Sequence, residues 1–133
     1  MDSMSPEARS RTMRAIRSRW TRQEVAFAGL CTGWVRGGRT EANADFVWPV
    51  ARVAVFLDGD FWHGRRIPDT LPARWRERLA RTRERDAVQR ELLERTGWEV
   101  VSIWESDFWA DPEGQADGVM SLVESRLDAE YLC

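Results

Sequence analysis

A chain of 133 residues with a formal charge of −2 is the size of one domain, 1–133, with a single core. No apolar run approaches the ~20 residues that cross a bilayer, and Met1-Asp2-Ser3-Met4 lacks the apolar stretch of a secretory signal, so a cytoplasmic protein without membrane contact is expected. Cys31 and Cys133 match no metal-binding spacing, and a reducing compartment disfavours a disulfide between them.

The charge is unevenly spread. Residues 1–39 hold eight Arg against three acids, residues 65–95 ten Arg against six, and residues 96–133 one Arg against nine. A basic face with an acidic end fits a phosphate-binding surface and a solubilising tail, although helical Arg and Glu can also simply solvate each other. Eight Trp exceed what so small a domain can fully bury, which leaves some for stacking on bases.

Ser5-Pro6-Glu7 reads as a helix start, with Ser5 as N-cap and Pro6 at the first helical position. Segment 6–18 is too polar for a core helix and reads as an arm lying on a partner or on the domain surface. Thr21-Arg22-Gln23-Glu24 has capping-box spacing, so a helix is expected to follow and end at Gly33, with Val25, Ala28 and Leu30 among its buried positions. Gly37-Gly38 is a turn. Asp45 to Trp48 reads as a short strand stopped by Pro49, and Arg52 to Asp58 as a central strand covered on both faces. Residues 59–71 form a loop. Pro72 opens a long charged helix to about Arg95, with Gly97 just beyond it. Trp98 to Trp104 is a further strand, and Asp111-Pro112-Glu113 starts an acidic last helix to about Leu127 within segment 111–133. The order expected is two helices, three strands, a helix, a strand and a helix. That is an α/β fold with a mixed central sheet flanked by helices.

Three acids and the sole histidine gather at the strand ends. Asp45 begins one strand. Asp58 and Asp60 close the next, and share a face if the strand geometry persists that far. His63 follows in the loop. Carboxylates at adjacent strand ends suit Mg²⁺, a hard cation that keeps several waters. An imidazole titrating near neutrality can take a proton from an activated water. Taken singly, an Asp at a strand end is often a turn cap and a lone His is often structural. Phe61-Trp62, two large apolar residues on a loop, either close the core or insert into a partner. Insertion is cheapest where a duplex is already weak.

Several stretches together resemble the very short patch repair (Vsr) endonuclease family. They are Arg9-Ser10 with Met13 to Arg19, Asp45-Phe46-Val47, Val55 to Gly64, Arg83 to Asp86, Gly97 to Val100 and Val101 to Glu105, in the family's order over roughly residues 9–107. The resemblance implies a restriction-endonuclease-like core and a monomer that nicks one DNA strand on the 5′ side of the thymine in a T·G mismatch, initiating repair. It implies Mg²⁺ held by Asp45 and the Leu57 carbonyl, His63 as the water-activating imidazole, and Glu24 assisting it. It implies an aromatic wedge of Phe61, Trp62 and Trp75, and a DNA-contacting arm over residues 1–20, in which Arg11, Arg14 and Arg17 would meet phosphates. Asp58 stands where some relatives carry a second histidine, and would ligate the metal or orient water.

The family's structural zinc falls on Asp60, Arg65, Ile67 and Ser106, which cannot supply the four ligands of a closed site, so no zinc is expected. An ion pair of Asp60 with Arg65 or Arg66 is expected to hold the loop instead. The alternatives are a nickase or restriction nuclease of the same fold with a modified or non-mismatched target, a catalytically inactive DNA-binding module, and a structural partner protein docking through its acidic C-terminal helix.

Overall fold

The computed structural model describes residues 20–60, 65 and 67–132; the expected arm helix over 6–18 lies outside them. A three-stranded sheet has the order β1 (Phe46–Trp48), β2 (Val53–Asp58), β3 (Glu99–Trp104). β1 runs antiparallel to β2, with Phe46 opposite Val55, and β3 runs parallel to β2, with Leu57 opposite Ile103. The parallel pair requires a crossover, and α2 (Ala73–Arg95) supplies it. Two strands precede α2 among the described residues, not three. The nearest feature to a third is Val35, which makes a single antiparallel bridge to Val47.

The alternation of β2 sorts the core into two layers. Val53, Val55 and Leu57 face α1 (Arg22–Leu30), α3 (Glu105–Ala110) and α4 (Pro112–Leu132), meeting Phe27, Phe108, Ala116, Val119 and Val123. Ala54 and Phe56 face the other way and pack with Val47 and with Leu93 of α2. All six residues of β2 are buried, as its nearly continuous apolar run requires. Among the described residues, no helix is long and apolar enough to cross a membrane.

Helix α1 departs from expectation in its facing. Its N-cap is Thr21, whose Oγ1 accepts the Glu24 N–H at 3.1 Å, but the buried residues are Gln23, Glu24 and Phe27. Val25 and Leu30 are 46 % and 41 % exposed, and Ala28 is half-buried. Phe27 decides the rotation, with its ring 4.9 Å from Phe46 and 6.3 Å from Phe108. Gln23 is carried inward with it and donates to the Ile103 carbonyl at 3.4 Å. The helix ends at Leu30, three residues before Gly33, which takes φ +81°. Two further boundaries differ: α3 was not expected, and α4 continues to Leu132 rather than stopping near Leu127.

Among the described residues the Trp side chains are mostly half-buried. Trp48 is buried and donates its indole N–H to the Thr32 carbonyl at 2.8 Å. Trp20, Trp34, Trp75, Trp98 and Trp104 are half-buried, leaving Trp109 as the exposed one among the described seven. Surplus tryptophan here mainly builds the core and its margins.

Candidate active site

The three-residue β1 begins one position after Asp45, while β2 continues past it. By strand geometry the N–H and C=O of Leu57 both point to the β1 edge, because Arg52, of the opposite parity, bonds toward β3 through Glu99. With β1 not yet begun at that level, Asp45 supplies the partner: its Oδ2 accepts the Leu57 N–H at 2.7 Å. The turn leading there is fixed by Gly37, whose N–H donates to the Ala44 carbonyl at 3.0 Å, and by Ala42 and Asn43, both at positive φ. The Asp45 carboxyl is pushed up to about 6. Burial is the main cause; the Leu57 N–H opposes it, Glu24 raises it further, Arg36 lowers it, and Asp58 raises it.

Asp45 lines a cleft of about 550 Å³ together with Thr21, Glu24, Asn43, Leu57, Asp58, Arg85, Asp86, Gln89 and Glu105. The cleft therefore unites Glu24, Asp45, Leu57 and Asp58, four of the residues selected from the sequence. Glu24 is held from two sides, by Arg36 Nη1 at 3.0 Å and by the Thr21 hydroxyl at 3.4 Å. The Arg36 guanidinium in turn lies 4.7 Å from the Trp20 ring centre and 5.4 Å from that of Phe46.

Asp58 is buried and faces α2, where Arg90 takes both of its oxygens, Nη1 to Oδ2 at 2.6 Å and Nη2 to Oδ1 at 2.8 Å. Arg90 also donates to the Ser102 hydroxyl at 2.8 Å and lies 4.2 Å over the Phe56 ring, with Asp86 4.0 Å away. Its Nε is buried without a hydrogen-bond partner among the described residues. A metal ligated by Asp58 would share these oxygens with Arg90, since each keeps a second lone pair.

Strand geometry stops at Asp58, so Asp60 does not continue the face. Asp60 accepts the Ser106 N–H at 3.4 Å, and Arg65 donates to the Ser106 hydroxyl at 3.1 Å and to Asp107 at 2.9 Å. Arg65 takes Asp107 as its ion-pair partner, because α3 presents Asp107 beside it, and the alternative pairing of Asp60 with Arg66 is not tested by the described residues. Arg66 lies outside the described residues, as do His63, Phe61, Trp62, Arg11, Arg14, Arg17 and Cys133. Trp75 sits in the first turn of α2, half-buried, with Arg78 5.4 Å over its ring.

Among the described residues, no three His, Cys, Asp or Glu side chains are grouped to enclose a metal ion. The donors present at the Asp45 end of the cleft are all oxygens, a carboxylate with one oxygen already hydrogen-bonded and the Leu57 carbonyl on the same edge. Such a set fits a hard cation that keeps most of its waters and not a closed thiolate or imidazole cage.

Arg36, Arg90, Ser102 and Gln89 were not selected from the sequence. For Arg90 a signal existed: it lies on the stripe Leu79, Asp86, Leu93 that faces the sheet, and an arginine there demands a buried carboxylate.

Comparison with known proteins identifies the family. The family model described as DNA mismatch endonuclease Vsr matches residues 1–68. The DNA mismatch endonuclease Vsr of Escherichia coli K12 is 34 % identical over 73 % of this chain and 69 % of its own length. The type II nicking enzyme V.NmeDIP of Neisseria meningitidis serogroup C is 32 % identical over 95 % of this chain and 93 % of its own. The type II nicking enzyme V.NaeI of Lentzea aerocolonigenes is 34 % identical over 92 % and 79 %. The helix-flanked mixed sheet is the restriction-endonuclease-like arrangement that the resemblance implied, and this chain belongs to the Vsr family of DNA endonucleases, enzymes that hydrolyse phosphodiester bonds.

Proposed function

We propose that this endonuclease uses Mg²⁺ to nick one strand of duplex DNA on the 5′ side of the thymine of a T·G mismatch, acting as a cytoplasmic monomer. The observation that carries the reading is the Asp45–Leu57 contact in the wall of an acid-lined cleft. Asp45 and the Leu57 carbonyl would hold the cation. Bound there, Mg²⁺ supplies Lewis acidity toward phosphate and lowers the pKa of water. Glu24, fixed by Arg36 and Thr21, steers His63, which takes the proton of the attacking water. Asp58, clamped by Arg90, orients water in the cleft or shares an oxygen with the metal. Phe61, Trp62 and Trp75 part the bases, and Arg11, Arg14 and Arg17 neutralise phosphates.

A second reading keeps the fold and the chemistry but changes the target to modified or non-mismatched DNA. It is favoured by the Arg65–Asp107 fastening of the loop after β2, which differs from the zinc-bound loop that the family resemblance implied. Nicking assays on T·G, fully matched and modified duplexes, with Mg²⁺ and with EDTA, separate the readings. Preferential, Mg²⁺-dependent cutting of the T·G strand supports the first, and equal cutting of the matched duplex removes the mismatch preference.

A further inference from the structure

The arginines of α2 are not spread around the helix. At about 100° per residue, Arg74, Arg78, Arg81 and Arg85 fall on one stripe about 60° wide. All four are exposed. The stripe flanks the sheet-facing residues Leu79, Asp86 and Leu93, and it ends inside the cleft, where Arg85 and Gln89 are wall residues with Asp45. Glu77 and Glu84 border the stripe, about 40° and 60° from Arg81, yet neither is ion-paired with it among the described residues. The ion pairs along α2 are Asp86–Arg90 and Glu91–Arg95, with Asp58–Arg90 to the sheet, so no arginine of the stripe is paired to an acid among the described residues. Mutual solvation of Arg and Glu therefore does not account for the stripe. In a chain of net charge −2, four unneutralised guanidinium groups on one line are a concentrated local field.

We propose that this stripe is a phosphate rail for duplex DNA: Arg74, Arg78, Arg81 and Arg85 follow one strand's backbone and deliver it to the cleft, with Arg85 holding a phosphate beside the scissile one. From Arg74 to Arg85 the helix rises about 16 Å, roughly five base-pair steps of 3.4 Å, so the rail spans several consecutive phosphates. Arginine suits the task because its planar fork can hold a phosphate by two bonds at once. The rail carries no base-reading group and so contributes affinity and register, not sequence or mismatch preference. It rests on DNA as the substrate and is independent of whether the target is a mismatch.

The test is the salt dependence of DNA binding by the full chain in EDTA, on matched and T·G duplexes of equal length. Changing Arg78, Arg81 and Arg85 together to Gln should reduce the slope of log K against log salt by about 2.7, at about 0.9 per phosphate. Between 50 and 200 mM salt the unaltered chain then loses roughly forty-fold more affinity than the variant. The change should be the same on both duplexes, and Lys at the three positions should restore most of the slope. Arg83→Gln, on a different face, is the control for bulk charge and should leave the slope nearly unchanged. An unaltered slope in a triple variant with wild-type circular dichroism and melting would overturn the rail. So would an Arg83→Gln effect as large per residue as that of the stripe. A change confined to the T·G duplex would also overturn it, since it would assign the stripe to mismatch reading.

Discussion

The Arg90 guanidinium on α2 grips both oxygens of Asp58 at the end of β2 and also donates to the Ser102 hydroxyl on β3, so one side chain ties α2 to two strands of the sheet beside the cleft. Both members are largely withdrawn from solvent, at 16 % and 5 % side-chain exposure. Removing one alone orphans a buried charge. Arg90→Met should cost about 3–5 kcal/mol in urea unfolding. Pairing it with Asp58→Asn, which removes the orphaned charge, should recover a large part of that loss. A double variant no more stable than Arg90→Met would show that the pair is not the source of the effect.

Asp45→Asn should abolish nicking, retain DNA binding and stabilise the fold at neutral pH. Below pH about 4, Asp45 is neutral in both states and contributes nothing. As pH rises from 4 to 6, the unfolded chain sheds the proton while the folded one, with its carboxyl near 6, keeps it, so stability falls with pH across this window. The penalty is on the order of 2–3 kcal/mol above pH 6, at 1.36 kcal/mol per pK unit. Melting curves should show the Asn variant ahead at pH 8 and level with the wild type near pH 4. A constant gap at all pH values would separate the stability effect from Asp45 ionisation.

Arg36→Ala removes the cation that favours ionised Asp45 and also releases Glu24, and both changes move the Asp45 carboxyl upward. The acid limb of the nicking pH profile should therefore shift to higher pH, with activity at pH 6 falling by a larger factor than at pH 8. Loss of the guanidinium from the Trp20 and Phe46 rings should add about 1 kcal/mol of destabilisation.

Gly37→Ala tests the turn that launches Asp45. A Cβ at Gly37 would lie 2.4 Å from the Ala44 carbonyl oxygen, a backbone atom, so the turn must shift. Overpacking of this kind costs about 1–3 kcal/mol. Because Asp45 is the next residue after Ala44, kcat should fall more than KM rises. Gly38→Ala, with open space at its Cβ, is the matched control.

Much of this architecture was legible because its signals are local. The continuous apolar run of β2, the Pro72 and Gly97 limits of α2 and the Thr21 cap each depend on neighbours within a few residues. Asp45 and Asp58 were legible for the same reason, as acids at the start of one apolar strand and the end of the next. The facing of α1 was not, since Gln23 and Glu24 are polar residues made internal by partners on β3 and at Arg36, far along the chain. Helix α3 was hidden because six residues carry too few turns for a periodic pattern, and Trp104 precedes it without a capping side chain. The Arg36 and Arg90 contacts bridge 12 and 32 residues, and although helical spacing marks Arg90 as inward-facing, no local pattern names the partner of either.

The parallel pairing of β2 with β3 has a consequence for how the enzyme comes into being. Leu57 and Asp58 meet Ile103 and Trp104 only after the whole α2 crossover has closed on itself, a non-local step with a high entropic barrier. The β1–β2 pairing is local, but it does not by itself contain a working centre. On dilution from denaturant, nicking activity should return in step with the burial of Trp98 and Trp104 fluorescence, not with the earlier gain of helical signal.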